Sequence, residues 1–307
     1  MRSTCVTEPR KPQLKKNNIM NDLDKLLSYF DLEKLEHNLF RGQSLDIGTG
    51  RIFGGQALAQ SLQAAYLTTE GQEVHSLHAY FLREGDCSKP VVYEVERARD
   101  GRTFSNRRVS AIQNGRPILI LSCSFQRLEA GFAHQKPMPD VPMPDELTEK
   151  TLIPGDKIKQ LSPRMRRTLT TQGPCEFRFV DDVDPFDDQP KEPIKRLWFR
   201  ARAPLAKDHS LHRTLLTFVS DFHLVSTATL PHGISYLDPK LQFASLDHAM
   251  WFHRPFQIDD WLLYDCDSPS ASEARGFATG HVFNIKGELV ASTAQQGLMR
   301  MWKEEKS

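Results

Sequence analysis

The spacing of apolar residues along the first half of the chain predicts one helix followed by several strands. Residues 52–66 pass from Phe53-Gly54-Gly55-Gln56 into small and apolar helix formers, with no breaker before Gly71. This composition predicts a helix that is buried on much of its surface. Four segments of strand length follow, and the last two flank Asn114-Gly115, a strong hairpin signal. The predicted strands are residues 75–83, 90–98, 103–112 and 117–126.

The second half repeats this order with the same spacing. An apolar helical segment at 215–230 precedes predicted strands at 242–253, 261–266, 275–284 and 288–299. Residues 80–83 match 251–254 and residues 91–96 match 262–267, both at an offset of 171, while residues 114–118 match 286–290 at 172. Matching blocks in one register indicate a duplicated domain. The pattern predicts an α+β fold in which each copy packs one helix on a face of an antiparallel sheet.

The segment between the copies differs from both in composition. Eleven of the 19 prolines lie between Pro137 and Pro204, together with an acidic run at 181–184. Proline removes backbone donors, so we predict a connector with short helices at 131–195, between domains at 20–130 and 196–307. Residues 1–19 are basic and are predicted to be a disordered tail. An organellar transit peptide and a translation start at Met20 stay open as alternatives.

Charge and cysteine content exclude several classes of protein. The chain carries 40 Lys and Arg against 39 Asp and Glu, so no bulk charge favours nucleic acid. No apolar run approaches the roughly 18 residues of a membrane span, so we expect no membrane insertion. The five cysteines are scattered and fit reduced thiols, and both a secretory signal and a final Ser-Lys-Leu are missing. A cytoplasmic location is predicted.

Common catalytic motifs are also missing from the sequence. It contains no G-x-S-x-G, no G-x-x-x-x-G-K-[ST], no G-x-G-x-x-G and no H-E-x-x-H, and its Cys and His spacing does not suggest zinc. Serine-elbow hydrolases, P-loop enzymes and zincins are therefore poor candidates.

Candidate chemistry emerges where the second copy departs from the first. The last strand of copy one alternates Leu119, Leu121, Cys123 and Phe125 on one face, and these positions correspond to Ala291, Thr293, Gln295 and Gly297. A period of two directs this face at the core, so Gln295 is an amide on a face that its twin keeps apolar. A buried amide without partners costs roughly 1–3 kcal/mol. Gln295 therefore needs polar neighbours across the layer.

Two other residues of the second copy are suitable neighbours. Asp221 is a carboxylate within the apolar helical segment, and Ser245 replaces Val74 on the first strand of the copy. Asp221, Ser245 and Gln295 would then meet between helix and sheet, in a site able to hold a water molecule. Ordinary structural roles remain for each: an N-cap beside Ser220 for Asp221, a plain strand residue for Ser245, and a solvent-facing amide for Gln295.

At these residues the sequence resembles the acyl-coenzyme A thioesterase II family, the TesB-like double-hotdog thioesterases, and it looks closest to the bacterial members. The resemblance runs from about residue 25 to 300 and is carried by the segments 39–42, 53–56, 75–81, 220–221, 230–232, 245–253 and 294–297. It implies a double hotdog fold, a homo-oligomer, and hydrolysis of fatty acyl-CoA to free acid and coenzyme A. The family's catalytic Asp, Thr or Ser, and Gln fall on Asp221, Ser245 and Gln295. Many bacterial members carry Thr where this chain has Ser245.

The mechanism implied by the resemblance is attack by an activated water, and it requires no metal and no cofactor. Asp221 would be the general base, and Ser245 and Gln295 would orient the water. Burial should raise the pKa of Asp221 to make it a useful base at neutral pH. Gly54 and Gly55 are weaker candidates for substrate binding, because glycines at a helix start allow close approach to backbone N–H groups. Two other functions stay open, a hotdog hydro-lyase for enoyl thioesters and a non-catalytic acyl-CoA binding module.

Overall fold

The computed structural model describes residues 16–149, 159, 173–181, 184 and 186–302. The helices are α1 (Lys16–Ser28), α2 (Gly54–Tyr66) and α3 (His209–Ser220), with 3-10 helices at Pro144–Glu146 and Val225–His232. The strands are β1 (Glu33–Glu36), β2 (Leu39–Gly42), β3 (Glu73–Phe81), β4 (Val91–Asp100), β5 (Phe104–Gln113), β6 (Arg116–Gln126), β7 (Cys175–Phe179), β8 (Ile194–Ala201), β9 (Leu241–Ser245), β10 (Asp247–Phe252), β11 (Leu262–Ser272), β12 (Arg275–Asn284) and β13 (Leu289–Met301).

The strands form one antiparallel sheet whose order reads as two related halves. The order is β1-β2-β4-β5-β6-β3 followed by β10-β13-β12-β11-β8-β7, and β9 also pairs with β13. The second half reverses the first, because β10 corresponds to β3, β13 to β6, β12 to β5 and β11 to β4. The halves join where β3 pairs antiparallel with β10, at Leu77 opposite Met250. The duplication predicted from the sequence is therefore present as an approximate two-fold relation.

α2 and α3 lie together on one face of this sheet. α2 contacts β4, β5 and β6, α3 contacts β3, and the two helices contact each other. They approach each other closely at Gly55, where a Cβ atom would overlap the backbone oxygen of Phe218. One continuous core lies between the helices and the sheet, and it contains Leu58, Leu77 and Leu216, all fully buried. The predicted α+β arrangement, with a helix against a sheet in each copy, is confirmed.

The predicted helix at 215–230 was wrong at both ends. α3 begins at His209 behind an Asp208 N-cap, whose side chain accepts a hydrogen bond from the Ser210 amide. It ends at Ser220, and His223 then adopts a φ of 68°, which a continuing α-helix does not allow. The apolar residues that follow form the separate 3-10 helix Val225–His232. Continuous apolar character therefore concealed a break in the backbone.

The predicted strand at 242–253 is two strands, because the chain bulges at Leu246. The Leu246 amide donates to the Gln296 oxygen at 2.8 Å, and the Asp247 carboxylate accepts from the Gln296 amide at 2.7 Å. The register against β13 shifts by one residue between the Ser245 and Ala249 pairings. A bulge of this kind changes the direction of the side chains on either side of it.

Parts of the predicted connector and tail also carry regular structure. β7 lies within 131–195 and pairs with β8, which begins at Ile194 and pairs with β11. The last part of that connector thus joins the sheet of the second copy. Residues 1–15, 150–158 and 160–172 lie outside the described residues, and α1 begins at Lys16, inside the predicted tail. The domain limits remain a prediction.

Candidate active site

Asp221 is fixed at the end of α3, directly against the sheet. It is the C-cap residue of the helix, with φ −80° and ψ −11°. The preceding residue is anchored to the sheet, because the Tyr264 hydroxyl donates to the Ser220 backbone oxygen at 3.0 Å. The Asp221 side chain is 4% exposed. The expected alternative of an N-cap is therefore wrong, and the carboxylate lies within the interior.

Gln295 joins the other two predicted residues. Its Nε2 donates to Asp221 Oδ1 at 2.6 Å and to Ser245 Oγ at 3.0 Å. Gln295 is fully buried on the inner face of β13, as its register predicted. Ser245 ends β9 opposite Gly297 and reaches the same interior because the following bulge changes the side-chain alternation. The structure brings all three residues together.

Burial makes Asp221 a stronger base than a carboxylate in water. It raises the pKa of Asp221 from 3.8 to about 6, while the hydrogen bonds from Gln295 and from the Gly55 backbone amide act in the opposite direction. Desolvation dominates because the ionised form loses more hydration than two donors replace. Asp221 is therefore mostly ionised at neutral pH and retains substantial affinity for a proton.

The start of α2 supplies the opposite wall of the site. Gly54 and Gly55 are the first residues of this helix, and a Cβ on Gly54 would lie 2.6 Å from Asp221 Oδ2. The Gly55 amide hydrogen-bonds to the Asp221 carboxylate. The first copy thus contributes the positive end of a helix to a carboxylate of the second copy. The two weaker candidates from the sequence lie beside the other three residues.

A methyl group at Gly54 should disturb this wall. For the thioester hydrolysis that the sequence resemblance implies, we expect Gly54→Ala to lower kcat by about 10-fold or more. The new Cβ must displace either Asp221 Oδ2 or the Phe81 ring, which would lie 2.8 Å away. Steady-state kinetics measure the effect, and the melting temperature reports on the fold. Gly131→Ala is the matched control, since a Cβ there meets nothing within 4 Å. Unchanged kcat in Gly54→Ala would contradict the close approach.

His248 is a further polar member of the site, and it is not among the candidate residues named from the sequence. It is 1% exposed on β10, and its Nδ1 lies 3.9 Å from Asp221 Oδ1. Its Nε2 forms a hydrogen bond of 3.0 Å with Ser220 Oγ. The signal was present in the sequence, because position 248 corresponds at offset 171 to Leu77, which is apolar and fully buried.

The matching place in the first copy lacks this chemistry. Val74 and Cys123 occupy the positions of Ser245 and Gln295, and both are buried and apolar. Nearby, Glu73 instead accepts from the Tyr66 hydroxyl at 3.2 Å and pairs with Arg213 of α3. One half of the duplicated fold therefore carries the polar cluster, and the other half contributes the start of α2.

Aromatic side chains form a group between the start of α2, the end of α3 and β7. The Phe53 ring, which precedes α2, lies 4.3 Å from Phe222 and 5.3 Å from Phe218, measured between ring centroids. Phe177 of β7 continues the group at 6.2 Å from Phe222. Within the described ranges, no group of three His, Cys, Asp or Glu side chains is placed to hold a metal ion.

Family models match both halves of the chain in the order in which the structure arranges them. The model described as "Acyl-CoA thioesterase N-terminal domain" matches residues 43–126, and "Acyl-CoA thioesterase" matches residues 171–298. "Acyl-CoA thioesterase 2" of Haemophilus influenzae is 37% identical over 285 residues, covering 92% of this chain and 99% of the relative. The chain belongs to the acyl-CoA thioesterase family. The resemblance seen in the sequence is confirmed, and with it the class of acyl-CoA thioester hydrolase.

Other members and solved structures agree with this assignment. "Acyl-coenzyme A thioesterase 8" of Homo sapiens is 39% identical and covers 88% of this chain and 87% of its own, so identity alone does not separate bacterial from animal members. The acyl-CoA thioesterase II TesB2 of Mycobacterium marinum is 39% identical with a TM-score of 0.73, covering 91% of this chain and 100% of its own.

A more distant structure supports the fold by itself. A protein from Alicyclobacillus acidocaldarius described as having a hot dog fold has a TM-score of 0.72 at 20% identity, covering 91% of this chain and 99% of its own. The predicted double hotdog is thereby confirmed. In the described part of the present chain, no helix is long and apolar enough to cross a bilayer.

Proposed function

We propose that the protein hydrolyses fatty acyl-CoA thioesters to free acid and coenzyme A, using a water molecule activated by Asp221. One observation carries the proposal: a single buried amide nitrogen, Gln295 Nε2, bonds both the Asp221 carboxylate and the Ser245 hydroxyl. This bridge fixes a base and a hydroxyl at the same point of a desolvated site. Positioned groups of this kind are what water activation requires.

The roles of the three side chains follow from their hydrogen bonds. Both hydrogens of Gln295 Nε2 are used, one on Asp221 Oδ1 and one on Ser245 Oγ. Ser245 Oγ therefore accepts from Gln295 and keeps its own hydrogen to orient a water. Asp221 accepts a proton from that water as its oxygen attacks the thioester carbonyl. The carbon–sulfur bond then breaks, and the proton held by Asp221 passes to the departing thiolate or to solvent.

The start of α2 suits the developing negative charge on the carbonyl oxygen. The Gly55 amide is engaged by Asp221, and the Gln56 amide donates to the Phe53 backbone oxygen at 3.0 Å. The Gly54 amide and the positive end of the helix dipole are therefore the groups that the start of α2 offers to the substrate. The aromatic group around Phe53, Phe222 and Phe177 supports placement of the apolar acyl chain on that side. No metal and no cofactor enters these steps.

Thiol release from a series of acyl-CoA substrates tests the function. We expect turnover, with coenzyme A and free acid formed at the same rate in rapid-quench experiments, because water attacks directly. Intact-mass measurement should show no acylated protein. A burst of coenzyme A ahead of acid, or an acyl adduct, would contradict direct attack. Binding of acyl-CoA without thiol release at any chain length would favour a non-catalytic binding module.

We further propose a cytoplasmic homo-oligomer. Cys123, Cys175 and Cys266 are buried free thiols in the structure, which fits a reducing compartment. The outer face of the seam between β3 and β10 exposes Tyr80 and Trp251 at 59% and 37%. Aromatic side chains in the middle of an open sheet face suit a second copy of the chain. Light scattering of the purified protein measures the oligomeric state directly.

A further inference from the structure

We propose that His248 is a positioning residue that holds the Gln295 amide in its productive orientation by donating its Nδ1 hydrogen to Gln295 Oε1. The inference rests on the proposed function, because it concerns the residue that joins the base to the hydroxyl. His248 does not touch the reacting atoms in this assignment. It acts through Gln295.

The geometry isolates two polar atoms beside each other in the site. Among the described residues, His248 Nδ1 and Gln295 Oε1 are both buried side-chain atoms that lack a well-aligned hydrogen-bond partner. Both belong to side chains that contact Asp221 Oδ1, the first at 3.9 Å and the second through Nε2 at 2.6 Å. Buried polar atoms are costly when unpaired, so a donor on His248 and an acceptor on Gln295, both next to Asp221, favour pairing with each other.

The surroundings of the ring decide which nitrogen carries the hydrogen. Nδ1 faces two acceptors, Asp221 Oδ1 and Gln295 Oε1, whereas Nε2 faces the Ser220 hydroxyl at 3.0 Å. A hydroxyl can donate or accept, and a carboxylate can only accept. The tautomer protonated at Nδ1 therefore suits both ring nitrogens, with the Ser220 hydroxyl donating to Nε2 in place of the Thr217 backbone oxygen, which also lies 3.0 Å from it.

Burial keeps the ring neutral in this arrangement. It lowers the pKa of His248 to about 3, and the neighbouring Gln295 side chain opposes that effect. A neutral imidazole at pH 5 to 9 adds no charge to the site, so it leaves Asp221 ionised and free to accept a proton. His248 is thus a fixed donor.

A fixed donor is useful because an amide can rotate by half a turn. In the flipped state, Gln295 Oε1 would face the Asp221 carboxylate at about the distance of the present 2.6 Å hydrogen bond. Two acceptors would then oppose each other, and Ser245 would lose its donor. The flipped state would also direct an amide hydrogen at His248 Nδ1–H. Both contacts disfavour the flip, and removal of the histidine donor eliminates one of them.

Three substitutions separate positioning from packing. An Asn amide nitrogen overlays the Nδ1 position of histidine, whereas a Gln amide reaches the Nε2 position near Ser220. We expect His248→Asn to keep kcat within about fivefold, and His248→Gln and His248→Leu to lower it by about 50-fold, with KM little changed. His253→Asn is the control, because this exposed histidine contacts Ser292 Oγ at 2.9 Å, away from the site.

A double-mutant cycle completes the test. If His248 acts through Gln295, His248→Leu should cost less than about threefold in a Gln295→Met background. Equal activity of the His248→Asn and His248→Gln variants would overturn the proposal. So would a full decrease in kcat of about 50-fold when His248→Leu is introduced into the Gln295→Met protein. If the Leu variant does not fold, the Asn and Gln pair still decides. Thiol release by the unaltered protein separates these outcomes from a failure of the proposed function.

Discussion

Asp221→Asn should lower kcat by about 10³-fold, because the amide cannot accept the proton that the attacking water must lose. The side chain keeps its size and can still accept a hydrogen bond from Gln295, so KM should change little. Thiol release from acyl-CoA under saturating substrate measures kcat directly. The effect should be the largest of any single substitution that preserves the fold.

The same substitution should stabilise the protein at high pH. The pKa of Asp221 is raised in the folded state from 3.8 to about 6, so the stability present below pH 4 is lost as pH rises through 6. Asparagine carries no charge and escapes this loss. We expect its free energy of unfolding to exceed that of the wild type by about 1–3 kcal/mol at pH 8 and to differ little at pH 4.

The stability measurement is also the control for the activity measurement. A variant that gains stability at pH 8 and loses activity is folded, so its inactivity reports on chemistry. Asp238→Asn is the matched substitution, because Asp238 accepts from the Lys240 amide in an exposed turn and should leave both quantities unchanged. Activity that survives in Asp221→Asn would eliminate the proposed base.

Gln295→Met should lower kcat by about 100-fold. Methionine is similar in length and keeps the interior packed, but it removes the donor that bonds Asp221 at 2.6 Å and Ser245 at 3.0 Å. The base and the hydroxyl then lose their common support, and the pKa of Asp221 should rise above about 6 because one of the groups that lowers it is gone. Steady-state kinetics at pH 8, where Asp221 is ionised in both proteins, isolate the loss of positioning.

The neighbouring residue provides a matched control. Gln296 lies on the same strand with its side chain on the opposite face. The hydrogen bond of Gln296 to the Asp247 carboxylate comes from its backbone amide, so a substitution of the side chain leaves that bond in place. Gln296→Met should keep kcat within about twofold. Equal losses in the two variants would show that substitution in β13 disturbs the sheet and that the Gln295 amide has no special role.

Much of the site was predictable because the chain contains its own comparison. The first copy keeps Val74 and Cys123 where the second has Ser245 and Gln295, so a polar residue on an apolar face stood out without any structure. The same comparison, applied to Leu77 and His248, would have identified the histidine too. Period-two alternation was sufficient for Gln295, which is fully buried as predicted.

Backbone irregularities were not predictable in this way. The bulge at Leu246 depends on hydrogen bonds to Gln296 and Phe81 that are remote in sequence, and it decides which face Ser245 occupies. The end of α3 at Ser220 likewise depends on tertiary contacts, since the following residues remain apolar. Apolar character records burial and carries little information on where a helix stops.

The approach of α2 to Asp221 also required the structure. Nothing local in Gly54-Gly55 shows that a carboxylate of the other copy lies 2.6 Å from a Cβ built there. The two-fold relation of the halves produces this contact, because it places the start of one helix beside the end of the other. A glycine pair at a helix start was therefore a reasonable but weak signal.

The pH dependence of single-turnover hydrolysis tests the central claim, that Asp221 is the base, most directly. Because Asp221 must be ionised, the rate constant of the wild type should rise with pH and level off, with an apparent pKa near 6. In Gln295→Met the rise of the rate constant should occur at higher pH. A rate constant that does not change between pH 5 and 7 would contradict the assignment of Asp221 as the base. An apparent pKa that is the same in the wild type and in Gln295→Met would contradict it too.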